Sequence, residues 1–281
     1  MMKEGMFTIV TVSKSRLNHL MRSLPRMHDQ GCPVVLVDYA CPEASGAWAH
    51  QNIPGVQVLR VEESVFSVAK ARNLGAAIVR TEALLFVDAD VLIPGNFLSI
   101  LSPEYRPDRF IRFLGQGPSA QQGTWGLCVV PREAFVTVGG YDECFRGWGG
   151  EDDDLYYRLK NMGLKEAVFS ASILETIPHP DHLRTAHYEQ KDKVISFAES
   201  RMYRELKYFV MRFYGVRSEL QQQTRLELSR LAREATLAWQ AGGCKSHAPV
   251  KIDLTQIQNL CDTHKLRLKG SLEVSFDPIQ E

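Results

Sequence analysis

The chain has 281 residues, 44% of them hydrophobic and 23% charged, the balance of a folded chain with a sizeable core. Its 33 Lys and Arg offset 33 Asp and Glu, so no global field recruits nucleic acid or an acidic lipid surface, and a charged ligand must be handled by local groups. No stretch approaches the ~20 apolar residues of a membrane span, and the six cysteines show neither a CxxC nor dense spacing, which predicts reduced thiols and a cytoplasmic protein.

The opening MMKEGMFTIVTVSKSR has no small-residue cleavage site, and its β-branched run predicts a buried strand rather than a leader peptide. A helix is expected over SRLNHLMRSLPRM, ending at Pro25. PVVLVDY predicts a second strand ending on Asp38, CPEASGAWAHQNIPG a turn-rich loop, and VQVLRVE a third strand. SVAKARNLGAAIV, which carries Arg72, has helical spacing, and ALLFVDAD predicts a fourth strand closing on acid. RFIRFLG and GLCVVP read as further strands, PREAFVTVGG as a short helix opened by Pro131, and DDDLYYRLKNMG as a helix stopped by Gly163. The alternation predicts an α/β fold with a mostly parallel central sheet and ligands at the carboxyl ends of its strands. From about residue 190 two long helical patterns flank Gly215, and KLRLKGSLEVSF suggests a closing hairpin. The expected organisation is a catalytic domain over 1–190 and a helical C-terminal extension over 191–281.

Three stretches carry chemistry. In FVDADVLIPGN, residues two apart on an extended strand point the same way, so Asp88 and Asp90 would share a face. Two carboxylates at a strand end suit Mg²⁺ or Mn²⁺, which also take substrate phosphates. In GWGGEDDDLYYR, four consecutive acids stand at a helix start, where the dipole stabilises negative charge. Gly149 and Gly150 let backbone approach a ligand, Glu151 and Asp152 stand at the helix mouth, and an ionised carboxylate there can take a proton from an alcohol. Asp154 has Arg158 four residues on and reads as a plain intrahelical ion pair. Trp148 can wall a pocket or stack on a sugar, or simply pack in the core. In ETIPHPDHLRTAHYEQ, His179 is held between two prolines, which favours it as a metal ligand over His182 and His187.

FVDAD, then GGYDECFRGWGGEDDDLYYRLKNMG, then a His after the next strand, resemble the β-1,4-galactosyltransferase group, with the chondroitin polymerases and polypeptide N-acetylgalactosaminyltransferases related to it. TIVTVSKSR, VLVDYA and AKARNLGAAI are similar to the GT-A nucleotide-sugar fold at large, and the resemblance covers about residues 5–190. It implies a UDP-sugar donor and a Mn²⁺ or Mg²⁺ ion held by Asp90 and His179, with Asp88 on the ribose or assisting the metal. It further implies Asp152 as the base on the acceptor hydroxyl, and Glu151 hydrogen-bonded to a sugar. Trp148, Gly149, Gly150 and Arg72 would lie on the donor side, and Thr11, Val12 and Asp38 would seat uridine. The group has a Met metal ligand where this chain has Thr176.

The reaction so implied moves a hexose or N-acetylhexosamine, with galactose or N-acetylgalactosamine favoured, to a hydroxyl of a glycan, glycolipid or peptide, with inversion. The alternatives are a retaining N-acetylgalactosaminyltransferase-like enzyme and a carbohydrate-binding protein without catalysis. A nucleotidyltransferase would need a glycine-rich phosphate loop after the first strand, and VTVSKSRLN offers none. RMYRELKYFVMRFYGVR is basic and aromatic. Its apolar stripe at Met202, Leu206, Phe209, Val210 and Phe213 predicts packing on the catalytic domain or on a second subunit in a homodimer, ahead of peripheral attachment to an inner membrane.

Overall fold

The computed structural model describes residues 5–115, 124–180, 182–243, 250–253 and 271–274. Strand and helix alternate from the start: β1 (Phe7–Ser13), α1 (Leu17–His28), β2 (Val34–Tyr39), α2 (Ser45–Asn52), β3 (Gln57–Val61), α3 (Val68–Ala77) and β4 (Ala83–Phe86). A two-residue strand β5 (Val91–Leu92), a short helix α4 (Phe97–Leu101), β6 (Arg109–Leu114), β7 (Cys128–Pro131) and α5 (Arg132–Thr137) follow. The acid-rich segment forms α6 (Glu151–Asn161), succeeded by β8 (Lys165–Ser170), β9 (Glu175–Thr176) and α7 (His182–Thr185). Two long helices, α8 (Lys193–Tyr214) and α9 (Gln222–Ala241), and two short strands, β10 (Val250–Asp253) and β11 (Ser271–Val274), come last.

Seven strands make one sheet in the order β3-β2-β1-β4-β7-β6-β8. β7 alone runs against its neighbours β4 and β6, and the other pairings are parallel. Alternation along β1 sends Phe7 and Ile9 to a core shared with Leu20, Leu24 and Met27 of α1, and Val10 to the opposite core beneath α3. Gly75 lets α3 lie that close, since a Cβ there would stand 2.6 Å from Val10 and 2.9 Å from Val37. This is the expected α/β fold with a mostly parallel central sheet, and both of its faces are covered.

Four local expectations change. The helix α1 runs through Pro25 to His28, because Leu24 and Met27 bury their side chains and hold the last turn despite the missing donor. The segment expected as a loop contains α2, whose start is tied down by Asp38: its carboxylate accepts from the backbone N–H groups of Cys41 (2.9 Å) and Gly46 (2.8 Å). The β4 ladder ends at Phe86, so Asp88 and Asp90 lie in the turn beyond it, and strand alternation does not set their directions. The pairing partner of Ser271–Val274 is Val250–Asp253, antiparallel; the rest of the expected hairpin lies outside the described residues.

The C-terminal helices bury their own core. Met202, Tyr203, Leu206 and Val210 of α8 meet Leu228, Leu231, Ala232 and Ala235 of α9, together with Cys144 and Phe145 from the loop before α6. Phe209 is partly buried in it and Phe213 is exposed. Gly215, at φ +67°, ends α8 in the left-handed conformation that glycine accepts without strain. Among the described residues no helix is long and apolar enough to cross a membrane.

Candidate active site

The carboxyl ends of β1 and β4, the start of α6, the segment around His179 and the start of α8 enclose a cavity of about 520 Å³. Asp88, Asp90 and His179 line one part of it, and Trp148, Gly149, Gly150, Glu151 and Asp152 another. The sequence stretches 60 residues apart are thus brought to a single hollow, at the strand ends where an α/β sheet binds its ligands.

Asp90 and His179 meet through the small sheet formed by β5 and β9. Val91 pairs with Thr176, the Ile177 N–H donates to the Asp90 carbonyl at 2.8 Å, and His179 Nδ1 lies 3.3 Å from Asp90 Oδ2. Thr176, at the position where the related group has a Met ligand, pairs through its backbone with Val91. Burial, and then the neighbouring Asp88, push the Asp90 carboxyl up to about 6. An Asp90 carboxyl that burial makes costly to ionise without a counter-charge, beside an imidazole nitrogen and with Asp88 on the same cavity wall, suits a divalent cation.

The second half of the site begins at Gly150, whose φ of +95° turns the chain into α6. A Cβ at Gly150 would lie 2.8 Å from the Phe145 ring, and one at Gly147 2.7 Å from Ser196 Oγ, so the glycines are needed for close packing as well as for conformation. Glu151 and Asp152 are buried in the first turn. Burial, then Asp152, push the Glu151 carboxyl up to about 8, and its Oε2 has no hydrogen-bond partner. Burial also raises Asp152, against the lowering effect of Arg72.

Arg72 joins the halves. Its side chain is 4% exposed, and its two terminal nitrogens donate to Asp152 Oδ1 and Asp88 Oδ1, each at 2.8 Å. Glu151 Oε1 is 3.6 Å away and the Tyr141 ring backs the guanidinium at 5.0 Å. A cation that spans two carboxylates in this way fixes their separation and offsets their repulsion.

The other expected residues divide between the cavity wall and the protein interior. Val12 lines the cavity, whereas Thr11 is buried and its Oγ1 has no hydrogen-bond partner. Asp38 is outside the cavity wall, its oxygens taken by the start of α2 and by Arg60 at 2.9 Å. Trp148 lies at the wall with Lys193 4.9 Å and Arg184 5.9 Å from its ring centroid, so its face meets cations of the chain itself. His187 lines the cavity and His182 does not. Asp153 accepts from Trp125 Nε1 (2.9 Å) and Arg204 (2.6 Å).

Asp154 forms the expected ion pair with Arg158 four residues on, at 2.7 Å, but the pair is one part of a larger cluster. Asp154 is fully buried, and Lys207 Nζ sits among Asp142, Asp154 and Glu219 at 2.7–3.0 Å, with the equally buried Arg158 paired to Asp154 and Glu219, and Arg225 to Asp142. Three carboxylates converge here, but the ammonium group already supplies the cation.

Residues missed in the sequence include Trp125, Lys14, Arg16 and Lys193, all on the cavity wall. Trp125, a half-exposed aromatic between Thr124 and Gly126, was the most readable of them.

Residues 8–128 match the family described as glycosyl transferase family 2, and residues 116–185 the one described as N-terminal domain of galactosyltransferase. A validoxylamine A glucosyltransferase of Streptomyces hygroscopicus is 28% identical, with 42% of this chain and 41% of that enzyme covered. Bovine β-1,4-galactosyltransferase 1 is 31% identical over 39% of this chain and 29% of its own length. The chain therefore spans well under half of these relatives. Among solved structures, the mannosyltransferase PcManGT of Pyrobaculum calidifontis, in complex with GDP-Man and Mn²⁺, superposes with a TM-score of 0.54 at 17% identity, covering 86% of this chain and 80% of that one. TarS 1–349 of S. aureus gives 0.52 at 12% identity, covering 98% and 100%. The two matches, which together run over residues 8–185, are to glycosyltransferase families, and the fold is one that solved GT-A glycosyltransferases share.

Proposed function

We propose that the protein transfers a hexose or N-acetylhexosamine, galactose or N-acetylgalactosamine in first place, from a UDP-sugar to an acceptor hydroxyl with inversion. One observation carries the reading: a carboxylate–imidazole set (Asp88, Asp90, His179) and a buried acid pair (Glu151, Asp152) face one cavity and are bridged by Arg72. The galactosyltransferases and the glucosyltransferase among the relatives support a hexose.

Asp90 and His179, assisted by Asp88, would hold Mn²⁺ or Mg²⁺, which neutralises the diphosphate leaving group when bound. Arg72 keeps Asp88 and Asp152 at a fixed separation. Asp152 takes the acceptor's hydroxyl proton as the oxygen attacks the anomeric carbon; the bond from that carbon to the diphosphate oxygen breaks, and UDP leaves with the electron pair. Attack opposite the leaving group inverts the centre. Glu151, whose carboxyl burial and then Asp152 push up to about 8, donates a hydrogen bond to a sugar oxygen in its protonated form and in that form does not compete for the acceptor's proton.

UDP release tests this reading. Purified chain, a panel of UDP-sugars, mixed acceptors and Mn²⁺ should liberate UDP; chelator should stop it, and Asp90→Asn should remove the metal-dependent part. A binding protein would liberate none. Full turnover of Asp90→Asn in chelator-treated buffer would remove Asp90 from the reading.

A further inference from the structure

Beside the cavity a second hollow of about 220 Å³ opens between α6 and α8. Its walls include Arg112 of β6, Tyr157 and Lys160 of α6, and Arg204 and Tyr208 of α8, and Asp153 belongs to both hollows. The Tyr157 and Tyr208 rings stack at 3.8 Å. Arg112 Nη1 donates to Glu166 at 2.7 Å, and the guanidinium lies over the Trp125 and Tyr156 rings at 4.7 and 4.2 Å. Two of its nitrogens, Nε and Nη2, and the Tyr208 hydroxyl are buried with no hydrogen-bond partner. Groups of this kind are normally satisfied, and each one left unmade is costly.

We propose that this cleft is a subsite for a sugar residue of the acceptor, one or more units away from the hydroxyl that reacts, so that the acceptor is an oligosaccharide. This rests on the transferase reading above. Three features select the occupant. The cleft adjoins the cavity at Asp153, which lines both and whose two oxygens accept from Trp125 and from Arg204. Stacked tyrosines offer the flat apolar surface that the C–H face of a pyranose covers. Arg112, Lys160 and Arg204 place donors around it for hydroxyl and ring oxygens, while Glu166, Asp153 and Glu205 balance their charge. Charge balance favours a neutral sugar over an acidic one. Such a polar, aromatic-lined hollow with a few placed donors is the ordinary make-up of a small-ligand site.

The probe is an array of mono- to hexasaccharides built from β-linked hexose and N-acetylhexosamine, incubated with the full chain, UDP and Mn²⁺. Expected are retention of oligosaccharides well above the matching monosaccharides, and roughly five- to tenfold weaker retention by Tyr208→Phe and by Tyr157→Ala. Tyr208→Phe removes only a buried hydroxyl without a partner, so its melting temperature should equal or exceed that of the parent, and weaker binding by a fully folded variant is then a ligand effect. Equal retention of short and long sugars, no retention at all, or a Tyr208→Phe that binds as the parent does overturns the subsite. UDP release from UDP-galactose by the unmodified chain, measured alongside, reads the transferase centre separately: its absence counts against the transferase reading and leaves the array result to judge the cleft.

Discussion

Arg72 donates to Asp152 Oδ1 at 2.8 Å with one nitrogen while its other holds Asp88 at the same distance, so the proposed base and the proposed metal side share a single guanidinium. The fold supplies the room for this. Gly126 passes so near that a Cβ there would collide with Arg72 Nη2 and stand 2.9 Å from Asp88 Oδ2.

Replacing Arg72 by Lys keeps the charge but not the fork, and one ammonium cannot reach both carboxylates in line. Arg72→Lys should lower kcat/KM by about 10²-fold through misplacement of the two acids. Gly126→Ala should do the same from the other side by pushing the guanidinium off its partners. Steady-state UDP release, with thermal melting as the control for folding, checks both. Wild-type rates in a folded Arg72→Lys would show that the bridge is merely structural.

The two acids at the mouth of α6 should respond unequally to replacement by their amides. With its carboxyl at about 8, Glu151 is protonated at pH 7, and Gln preserves a neutral donor; Glu151→Gln should keep kcat within about tenfold. Asp152→Asn removes the proton acceptor and should cost about 10²-fold or more, with UDP affinity nearly intact. A raised carboxyl is in its protonated form below its pKa, so wild-type kcat/KM should fall as pH rises through about 8, and Glu151→Gln should lack that fall. If Gln abolishes turnover and Asn spares it, the base is Glu151. Product anomeric configuration by NMR coupling constants reads inversion directly: an α-linked product from an α-linked donor contradicts attack assisted by Asp152.

Much of this site was legible because its parts are local in sequence. Apolar ALLFV running into acid marks a strand end, and a glycine pair before four acids marks a helix mouth. What pairing adds was not legible. Nothing in GLCVVP indicates that β7 runs against its neighbours, and the punctuation of CPEASGAWAHQN hides α2 because the group that secures its start, Asp38, belongs to the preceding strand. The ion pair of Asp154 with Arg158 was legible because its spacing is complete by itself, but its burial was not: Asp142, Lys207 and Glu219, which join it, stand 12 to 65 residues from Asp154. Residues 1–190 as catalytic domain and 191–281 as extension is accordingly a division we propose by composition, across which a buried ion cluster runs.

That cluster yields the final prediction. Lys207 is fully buried and contacts Asp142, Asp154 and Glu219, with Tyr203 adding a 2.6 Å hydrogen bond to Asp142. Although burial opposes it, Lys207 and Arg225 hold the Asp142 carboxyl well below the usual carboxylate range. A depressed carboxyl contributes stability above its unfolded value, near ~4, and loses it as pH falls toward the folded one. Lys207→Met would leave buried carboxylates short of a partner, a loss of about 3–5 kcal/mol and of roughly 10 °C in melting temperature. The difference from wild type should narrow on going from pH 7 to pH 4, because the variant's acids can then bind protons while the wild type loses what Asp142 contributes. Removing residues 190–281 takes Lys207, Glu219 and Arg225 together, exposes Cys144 and Phe145, and should give insoluble protein. Denaturant melts of Lys207→Met at the two pH values, beside solubility of the truncation, decide the matter. A soluble monomeric truncation of unchanged stability would show that α8 and α9 are an appendage, and co-sedimentation of the full chain with anionic liposomes would then assign them to a membrane surface.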